Sequence, residues 1–540
     1  MSIECAGKQQ ENSENTVQSM MGKRTNIYRV INGNTCDEQY LRPEAIALQH
    51  EVGSIWYELL VELDVKFKKI LLATENHVLL AVVDNLFVDH ESVNYVVGRI
   101  ASVQLRLKEL IGRGLAPALA CNAYRLMIQE YSFLKNCLTW CSASSDQSGC
   151  VMFFDPRENT SSAVNYERYG SLSLREAEQS LLQGMGFNSD THDLLLTSSG
   201  QAAYTVIESF LLDTVLFAGT RVVTSPYIYF EAQEQLKRLK HIELICAESW
   251  GLDEFIDVVN SARARVFFID PMANNISLDI CDFKSLAKKI ELFDWRDKWL
   301  VIDGTMVSGG MDVFSVFNAE NHPSILYYES GTKYLQLGLD LQMLGVVVAS
   351  KKYISQMSIH RRNTGTVLYQ SGVGKFPVYS RELYLRRMSI LSGNAQFFKK
   401  MLLANSHIAA HTDLSYPSNW FDLGWKHGGC VVALKMKNEA FNDRVLLELF
   451  IDVLLQRCRE CRVPITKGVS YGFITTRVSA TAMADDMPSY LRFSIGEEDS
   501  LLMERLTNII VSTLSDYLEQ LSFAPEALFI DEHSTQELVF

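Results

Sequence analysis

The feature that most constrains the fold is an alternation of short apolar runs and amphipathic helical stretches that begins near Leu181. The runs are rich in β-branched and aromatic residues, and a polar or small-residue turn follows each one. They read DLLLTS, RVVTSP, IELICA, ARVFFID, KWLVID, SILYYES and GVVVAS. Strands that alternate with helices form a mainly parallel sheet, because a parallel connection must cross back over the sheet. The chain is therefore predicted to be an α/β protein whose sheet is sandwiched by helices.

The pattern changes along the chain, and 540 residues are too many for one ordinary core. Residues 1–26 are polar and are predicted to form a flexible tail. An extra helical N-terminal region is predicted over 27–150, where apolar residues recur at three- and four-residue spacing. A large domain is predicted over 151–375. A smaller C-terminal α/β domain, with strand-like pieces GCVVALKM, FITTRVSA and YLRFSIG, follows over 376–523, and a polar tail over 524–540.

Composition restricts the class of partner. The formal net charge of -14 disfavours nucleic acid and anionic membranes, because both attract basic surfaces. No apolar run is long enough to span a bilayer, and the N-terminus lacks the apolar centre of a secretory signal. The 11 cysteines are an odd number scattered through the chain, which is typical of reduced thiols in a cytoplasm. We therefore expect a cytoplasmic protein with a small-molecule substrate.

A lone C-x-x-C pair, Cys458 and Cys461, is the main signal for a metal or redox site. Structural zinc sites usually need a second pair of ligands at a suitable spacing, and none follows here. No metal site is predicted.

Open parallel sheets bind ligands beyond the carboxyl ends of their strands, so the residues after each apolar run are the candidates for chemistry. Ser199 and Gly200 open a helix, where free backbone N–H groups can bind a phosphate, although an ordinary capped helix is the simpler explanation. The ring of Tyr229 can lie on a planar cofactor, although a place in the buried core explains it as well. Asn274 and Asn275 can place an amide in the cleft or form a plain turn.

Two charged residues end the next runs. Asp303 closes a buried strand, where a carboxylate is costly unless it meets a cation such as a protonated pyridinium nitrogen, or caps a turn. Lys333 follows ILYYE, and a partly desolvated lysine has a lowered pKa and attacks aldehydes; the alternative is a lysine that extends from the sheet edge into solvent. The hydroxyls of Ser330 and Thr332 can bind a phosphate. Together these residues supply a phosphate cradle, a ring stack, a ring-nitrogen acid and a Schiff-base lysine, which are the parts that pyridoxal phosphate (PLP) needs.

These motifs resemble those of the Cys/Met-metabolism family of PLP enzymes, which includes cystathionine γ-synthase, cystathionine lyases and methionine γ-lyase. SSGQAA is similar to the family's S-G-M-A-A, PMANN to P-A-N-P, VIDGT to V-D-N-T, and SGTKY to S-x-T-K-Y. The resemblance covers roughly residues 160–520 and implies an aspartate-aminotransferase-type (PLP transferase) fold. The cofactor contacts that it implies are Ser199, Gly200, Gln201, Ser330 and Thr332 at the phosphate, Tyr229 on the ring, Asn274 or Asn275 at the ring oxygen, Asp303 at the ring nitrogen, and Lys333 as the Schiff base.

Further motifs extend the resemblance. Tyr166 and Arg168 resemble the family's Y-x-R, whose side chains reach the phosphate of the neighbouring subunit's cofactor, which implies a composite site in a homodimer or homotetramer. RFSIGEED is close to R-L-S-V-G-x-E-D, which implies that Arg492 clamps the substrate α-carboxylate, with Ser470 beside it. Asp340, seven residues after the lysine, stands where the family has the Asp of G-H-x-D.

Departures from the family pattern surround the expected substrate. VYSREL replaces R-G-x-K-T-L, and LQLGL partly replaces the glycines before Asp340. Phe230 and Glu231 stand where the family has G-G after the stacking tyrosine, and Thr220 stands where it has an Asp. The helical region 27–150 exceeds the usual short N-terminal arm. These departures leave the substrate open.

The expected reaction is the replacement or elimination of a γ (or β) substituent of an α-amino acid, with Lys333, Tyr229 and Asp303 as catalytic residues. We favour replacement, a transferase reaction as in cystathionine γ-synthase, because a long extra domain and an altered pocket suit a biosynthetic role. One alternative is a β- or γ-lyase such as cystathionine or methionine lyase. Others are transamination, decarboxylation, Claisen-type C–C bond formation, and a non-catalytic paralogue, against which the intact Lys333, Asp303 and Arg492 argue.

Overall fold

The protein is described from a computed structural model, which covers residues 55–69, 90–112, 117–138, 170, 172–248, 251–273, 275–482 and 489–523. Two β-sheets with helices around them fill these ranges. The predicted α/β fold class, with a mainly parallel large sheet flanked by helices, is confirmed. The predicted tails 1–26 and 524–540 lie outside the described residues.

The larger sheet has seven strands, and the seven apolar runs predicted from the sequence form them. They are β1 (His192–Thr197), β2 (Arg221–Thr224), β3 (Glu243–Cys246), β4 (Val266–Ile269), β5 (Trp299–Asp303), β6 (Ser324–Ser330) and β7 (Gly345–Ser350). Their order in the sheet is β1-β7-β6-β5-β4-β2-β3. Strands β2 to β6 are parallel, and β7 runs antiparallel to both β6 and β1. Helices cover both faces, which is why all four residues of the interior strand β4 are buried and apolar.

Helices precede, connect and follow the strands. In chain order they are α1 (55–69), α2 (His90–Gly112), α3 (Pro117–Leu138), α4 (Leu172–Met185), α5 (Gly200–Thr214), α6 (Phe230–Arg238), α7 (Leu252–Ser261), α8 (Phe283–Ile290), α9 (Val313–Val316), α10 (Lys351–Asn363), α11 (Gln370–Val373), α12 (Arg381–Ala404), α13 (Ser406–His411), α14 (Arg444–Glu460) and α15 (Ser500–Phe523). A short 3₁₀ helix spans Glu439–Asn442. Many begin at a side-chain cap; Asp282, for example, accepts from the third N–H of α8.

The outer edge of β1 is closed by a buried ion pair rather than by another strand. The backbone N–H of Leu196 donates to Glu178 at 3.0 Å, and its carbonyl accepts from Arg361 at 2.9 Å. Glu178 on α4 and Arg361 on α10 also pair with each other, and both are buried. Satisfying the edge in this way removes a template for pairing with other chains.

The smaller sheet has five strands in the order β10-β11-β12-β9-β8. They are β8 (Thr412–Ser415), β9 (Val431–Met436), β10 (Thr466–Lys467), β11 (Arg477–Thr481) and β12 (Tyr490–Ser494). Three of them match the predicted pieces, whereas β8 and β10 are short and have no apolar alternation in the sequence. Helices α12, α14 and α15 complete its core. The domain limits 151–375 and 376–523 stay predictions.

The N-terminal helices α1, α2 and α3 fall inside the region predicted to be helical. Trp56 and Tyr124 belong to the same hydrophobic core as the large sheet. Glu58 on α1 also pairs with Arg386 on α12 at 2.7 Å. Among the described helices, none combines the length and the apolar character needed to cross a bilayer.

Candidate active site

The carboxyl ends of β1, β2, β4, β5 and β6 lie at one edge of the large sheet, together with the first residue of the antiparallel β7. Polar residues follow these strand ends. They are Ser199 after β1, Tyr229 after β2, Asp270 after β4, Asp303 at the end of β5, and Lys333 after β6. The topology therefore brings the predicted candidates to a common edge.

The turn between β1 and α5 is packed so tightly that only glycines fit around it. A Cβ on Gly200 would lie 2.7 Å from the Cβ of Ser330, and one on Gly345 would lie 1.9 Å from the carbonyl oxygen of Ser199. Ser199 is the N-cap of α5, and its hydroxyl accepts from the N–H of Ala202 at 3.0 Å. The first N–H groups of a helix have no partner inside the helix. This turn therefore has the chemistry of an anion site.

Gln201 adds a second donor to this turn. Its side-chain Nε2 is buried and has no hydrogen-bond partner among the described residues. A buried amide donor without an acceptor is unfavourable by about 1–3 kcal/mol. A phosphate at the N-terminus of α5 would supply the acceptor.

A chain of hydrogen bonds links Asp303 to Lys333. The hydroxyl of Thr305 donates to Asp303 and accepts from the backbone N–H of Ser330 at 3.0 Å. The Lys333 Nζ donates to the hydroxyl of Ser330 at 3.2 Å, and the hydroxyls of Ser330 and Thr332 are 2.8 Å apart. The predicted residues at the ends of β5 and β6 thus form one connected group.

The environment of Lys333 favours its neutral amine. Burial lowers the pKa of Lys333, the charge of Asp303 opposes that effect, and the positive charge of Arg492 lowers the pKa further. The Nζ lies 5.9 Å from the centre of the Tyr471 ring. An amine with a lowered pKa is a better nucleophile toward an aldehyde at neutral pH.

Two buried carboxylates lie within electrostatic range of each other at this edge of the sheet. Asp303 and Asp270 are 8% and 6% exposed. Burial raises the pKa of both, and the charge of Asp303 raises the pKa of Asp270 further. Asp303 accepts from the N–H of Thr305 at 2.9 Å, and Asp270 accepts from the N–H of Tyr229 at 2.9 Å. A pair of buried carboxylates fits a cationic ligand such as a protonated ring nitrogen.

Tyr229 forms the N-cap of α6 and is half-buried. Burial raises the pKa of its hydroxyl, and the carboxylate of Glu231, within hydrogen-bonding reach, raises it further. The Oε2 of Glu231 is buried and has no hydrogen-bond partner among the described residues. Tyr229 therefore stays a neutral hydroxyl that can donate to Glu231.

Arg492 reaches this site from the second sheet. It lies on β12, and its Nη2 donates to the carbonyl of Val469. Its Nε is buried and lacks a hydrogen-bond partner within the described part of the chain. Ser470, which is half-buried, follows Val469 directly. A guanidinium with an unsatisfied donor near Lys333 suits a carboxylate ligand.

Other predicted residues lie apart or outside the described chain. The side-chain oxygen of Asn275 accepts from the N–H of Ser277 at 3.0 Å and of Leu278 at 3.2 Å, so it stabilises its own turn. Asp340 has a positive φ of 49° and lies 3.6 Å from Arg477. Asn274, Tyr166 and Arg168 lie outside the described residues.

Sequence reasoning missed Asp270, Tyr471 and the place of Glu231 in the site. Asp270 carries the same signal as Asp303, an acid directly after a buried strand, and could have been found by it.

Glu329 is also buried, and its pKa is raised to about 8 by burial. It accepts from Ser308 at 2.9 Å and from Tyr327. Alternation along β6 directs it to the face opposite Ser330, so it is not part of the site.

Metal-binding features are absent from the part of the chain that the structure describes. No three His, Cys, Asp or Glu side chains there are grouped to hold an ion. Cys458 is buried in α14, and burial raises its pKa to about 12. Cys461 follows the same helix and is half-buried.

Comparison with known proteins adds independent findings. A family model described as Cys/Met metabolism PLP-dependent enzyme matches residues 139–373. The bifunctional enzyme flvA of Aspergillus flavus is 35% identical over 397 residues, which are 73% of this chain and 48% of that protein. The chain therefore spans about half the length of this relative.

Solved structures show the fold. Cystathionine gamma synthase from Xanthomonas oryzae pv. oryzae, in complex with cystathionine, has a TM-score of 0.52 at 17% identity over 70% of this chain and 100% of its own. The same enzyme in complex with aminoacrylate and cysteine has a TM-score of 0.53 at 17% identity, covering 71% and 100%.

The two buried carboxylates predict a pH-dependent stability. Because the pKa of Asp303 is raised in the folded protein, the free energy of unfolding falls as pH rises from about 4, the ordinary aspartate value, through the raised value. Without cofactor, Asp303→Asn should therefore stabilise the protein by about 1 kcal/mol at neutral pH and have little effect below about pH 4. Thermal unfolding across this range measures the effect.

The matched control is Asp190→Asn at an exposed position, which should change stability at neither pH. Added PLP should stabilise the unmodified protein more than it stabilises Asp303→Asn. With PLP bound, the unmodified protein should therefore be the more stable of the two. An equal effect of Asp303→Asn at all pH values would contradict a raised pKa of Asp303 in the folded protein.

Proposed function

Because residues 139–373 belong to the Cys/Met metabolism family of PLP-dependent enzymes, we propose that the protein replaces the γ (or β) substituent of an α-amino acid with a nucleophile. PLP, when bound, supplies an aldehyde that condenses with amines and a ring that withdraws electrons from neighbouring carbons. The observation that carries the proposal is Lys333, a half-buried amine with a lowered pKa, linked to Asp303 through Ser330 and Thr305.

The residues at the sheet edge fit this cofactor. The unsatisfied Nε2 of Gln201 and the turn at Ser199 and Gly200 suit a phosphate, to which Ser330 and Thr332 would add hydroxyl donors. Asp303 would hold the ring nitrogen, because a cation there relieves the repulsion between Asp303 and Asp270. Tyr229 would lie on the ring. Asn274 or Asn275 would contact the ring oxygen, and the hydrogen bonds of Asn275 within its own turn favour Asn274 for that role.

The chain's own groups divide the remaining tasks. Arg492 would hold the substrate α-carboxylate, with Ser470 beside it, since its Nε donor is unsatisfied. Lys333 would take the proton from Cα and return a proton to a neighbouring carbon, because a neutral amine can act as a base. Burial of Asp303 limits the access of water to its carboxylate.

Replacement and elimination use the same proton steps, so the choice between transferase and lyase depends on the pocket. The extra helices α1, α2 and α3 share the core of the large sheet, and Glu231 brings a charge into the site. Both features suit a specialised biosynthetic substrate, which favours replacement.

Product analysis tests the reaction. With an O-acyl homoserine and L-cysteine as a thiol probe, we expect the acyl acid and a thioether amino acid in equal amounts. Cystathionine and methionine should be turned over at least tenfold more slowly, since their sulfur leaving groups are poorer. Chromatography with mass spectrometry identifies the products. A keto acid and ammonia as the main products, with thiol, amine and carbon nucleophiles all supplied, would refute replacement in favour of elimination.

We propose that a second subunit completes the site. Tyr166 and Arg168 of one subunit would reach the phosphate held by the other, in a homodimer or homotetramer. Dilution below the subunit dissociation constant should then abolish activity, and reconcentration should restore it. Light scattering beside the activity assay makes the test, in which a fully active monomer is the contradicting outcome.

A further inference from the structure

Glu231 places a carboxylate in the site at a position where the Cys/Met-metabolism family, which the motifs resemble, has glycine. Tyr229 is the N-cap of α6, and Glu231 is the second residue of that helix. The hydroxyl of Tyr229 lies within hydrogen-bonding reach of this carboxylate. One oxygen of the carboxylate, Oε2, is buried and has no hydrogen-bond partner in the described ranges. A buried carboxylate oxygen needs a donor, which points to a ligand group.

Glu231 also lies close to the reacting lysine. Its negative charge raises the pKa of Lys333, as do the charges of Asp303 and Asp340. The charged groups that act on Lys333 are Glu231 on α6, Asp303 on β5, Asp340 after β6 and Arg492 on β12. The centre of the Tyr471 ring lies 5.9 Å from the Lys333 Nζ, and the Tyr229 hydroxyl lies within hydrogen-bonding reach of Glu231. Arg492 is held toward a substrate carboxylate, so Glu231 is left as the acidic group without an assigned ligand.

An amino acid enters such a site with its amine protonated. The ammonium has no lone pair and cannot attack a carbonyl carbon until it loses a proton. The Tyr229 hydroxyl is neutral here, because burial and Glu231 raise its pKa, so it serves as a donor rather than as a base. Glu231 is the neighbouring group with an oxygen available to accept.

We propose that Glu231 receives the α-ammonium group of the incoming amino acid and takes one of its protons. An N–H bond of the ammonium breaks, an O–H bond forms on the carboxylate, and the nitrogen keeps the electron pair. The Tyr229 hydroxyl lies within hydrogen-bonding reach of the same carboxylate. This inference rests on the proposed function, since it assumes an amino-acid substrate bound by Arg492.

The test compares two ligands that differ only in the amine. L-Norleucine carries an α-ammonium and no leaving group, and hexanoate has the same carbon chain and carboxylate without the amine. Their binding to the PLP-loaded protein is measured by calorimetry, and the association rate of norleucine by stopped flow across pH. The variants are Glu231→Gln, Arg492→Leu and Glu234→Gln, the last an exposed carboxylate on the same helix that pairs with Lys237 at 2.8 Å.

We expect Glu231→Gln to weaken norleucine binding by about tenfold or more and to leave hexanoate binding unchanged. The association rate of the variant should rise about tenfold per pH unit with the fraction of free amine, while that of the unmodified protein stays flatter. Arg492→Leu should weaken both ligands, and Glu234→Gln neither.

Unchanged hexanoate binding in Glu231→Gln shows that the pocket is intact, so a folding defect cannot imitate the result. Equal loss of both ligands, or loss of neither, would overturn the role of Glu231 and leave it a group that only stabilises the start of α6. Failure of the proposed function gives a different result, since a protein that takes up no PLP shows no visible absorption in any variant.

Discussion

The site depends on one electrostatic arrangement at the carboxyl edge of a parallel sheet: the buried carboxylates of Asp303 and Asp270 interact with each other, and Asp303 also interacts with the half-buried Lys333. Each carboxylate is unfavourable alone, and burial raises the pKa of both. Hydrogen bonds through Thr305 and Ser330 connect Asp303 to Lys333, so the carboxylate and the amine are held in one network. The arrangement holds an unfavourable interaction that a cationic group, such as a protonated ring nitrogen, would relieve.

Another buried pair holds the segments around β11 and β12 of the second sheet together. Arg387 on α12 lies 3.3 Å from Glu497 and donates to the carbonyl of Gly472 at 3.0 Å. Burial raises the pKa of Glu497 to about 7, and the charge of Arg387 opposes that rise. Asn394, two turns further along the helix, donates to the carbonyls of Gly496 and Glu498 at 3.0 and 2.9 Å. These contacts hold the segment before β11 and the segment after β12, the strand that carries Arg492.

Much of this could be predicted from the sequence, because the strands of the large sheet are continuous apolar runs and their ends carry the polar residues. Asp303 and Lys333 were accessible in this way. The hydrogen bonds of Thr305 to Asp303 and Ser330 could not be predicted, because they depend on the register that places Asp303 beside Tyr328. Asn275 illustrates the opposite case, because a turn and a ligand contact use the same amide and the sequence does not separate them. The distance of Glu231 from Lys333 depends on how α6 packs, which local patterns do not give.

The central claim is that Lys333 carries PLP, and the most direct measurement is the site of covalent attachment. The purified protein is loaded with PLP, its visible spectrum is recorded, and the adduct is fixed by borohydride reduction and located by peptide mass spectrometry. We predict a visible absorption band and one pyridoxyl group on the peptide that contains Lys333, both lost in Lys333→Ala and both kept in Lys352→Ala. The absence of bound PLP, or a pyridoxyl group on another lysine with Lys333 unmodified, would contradict the claim.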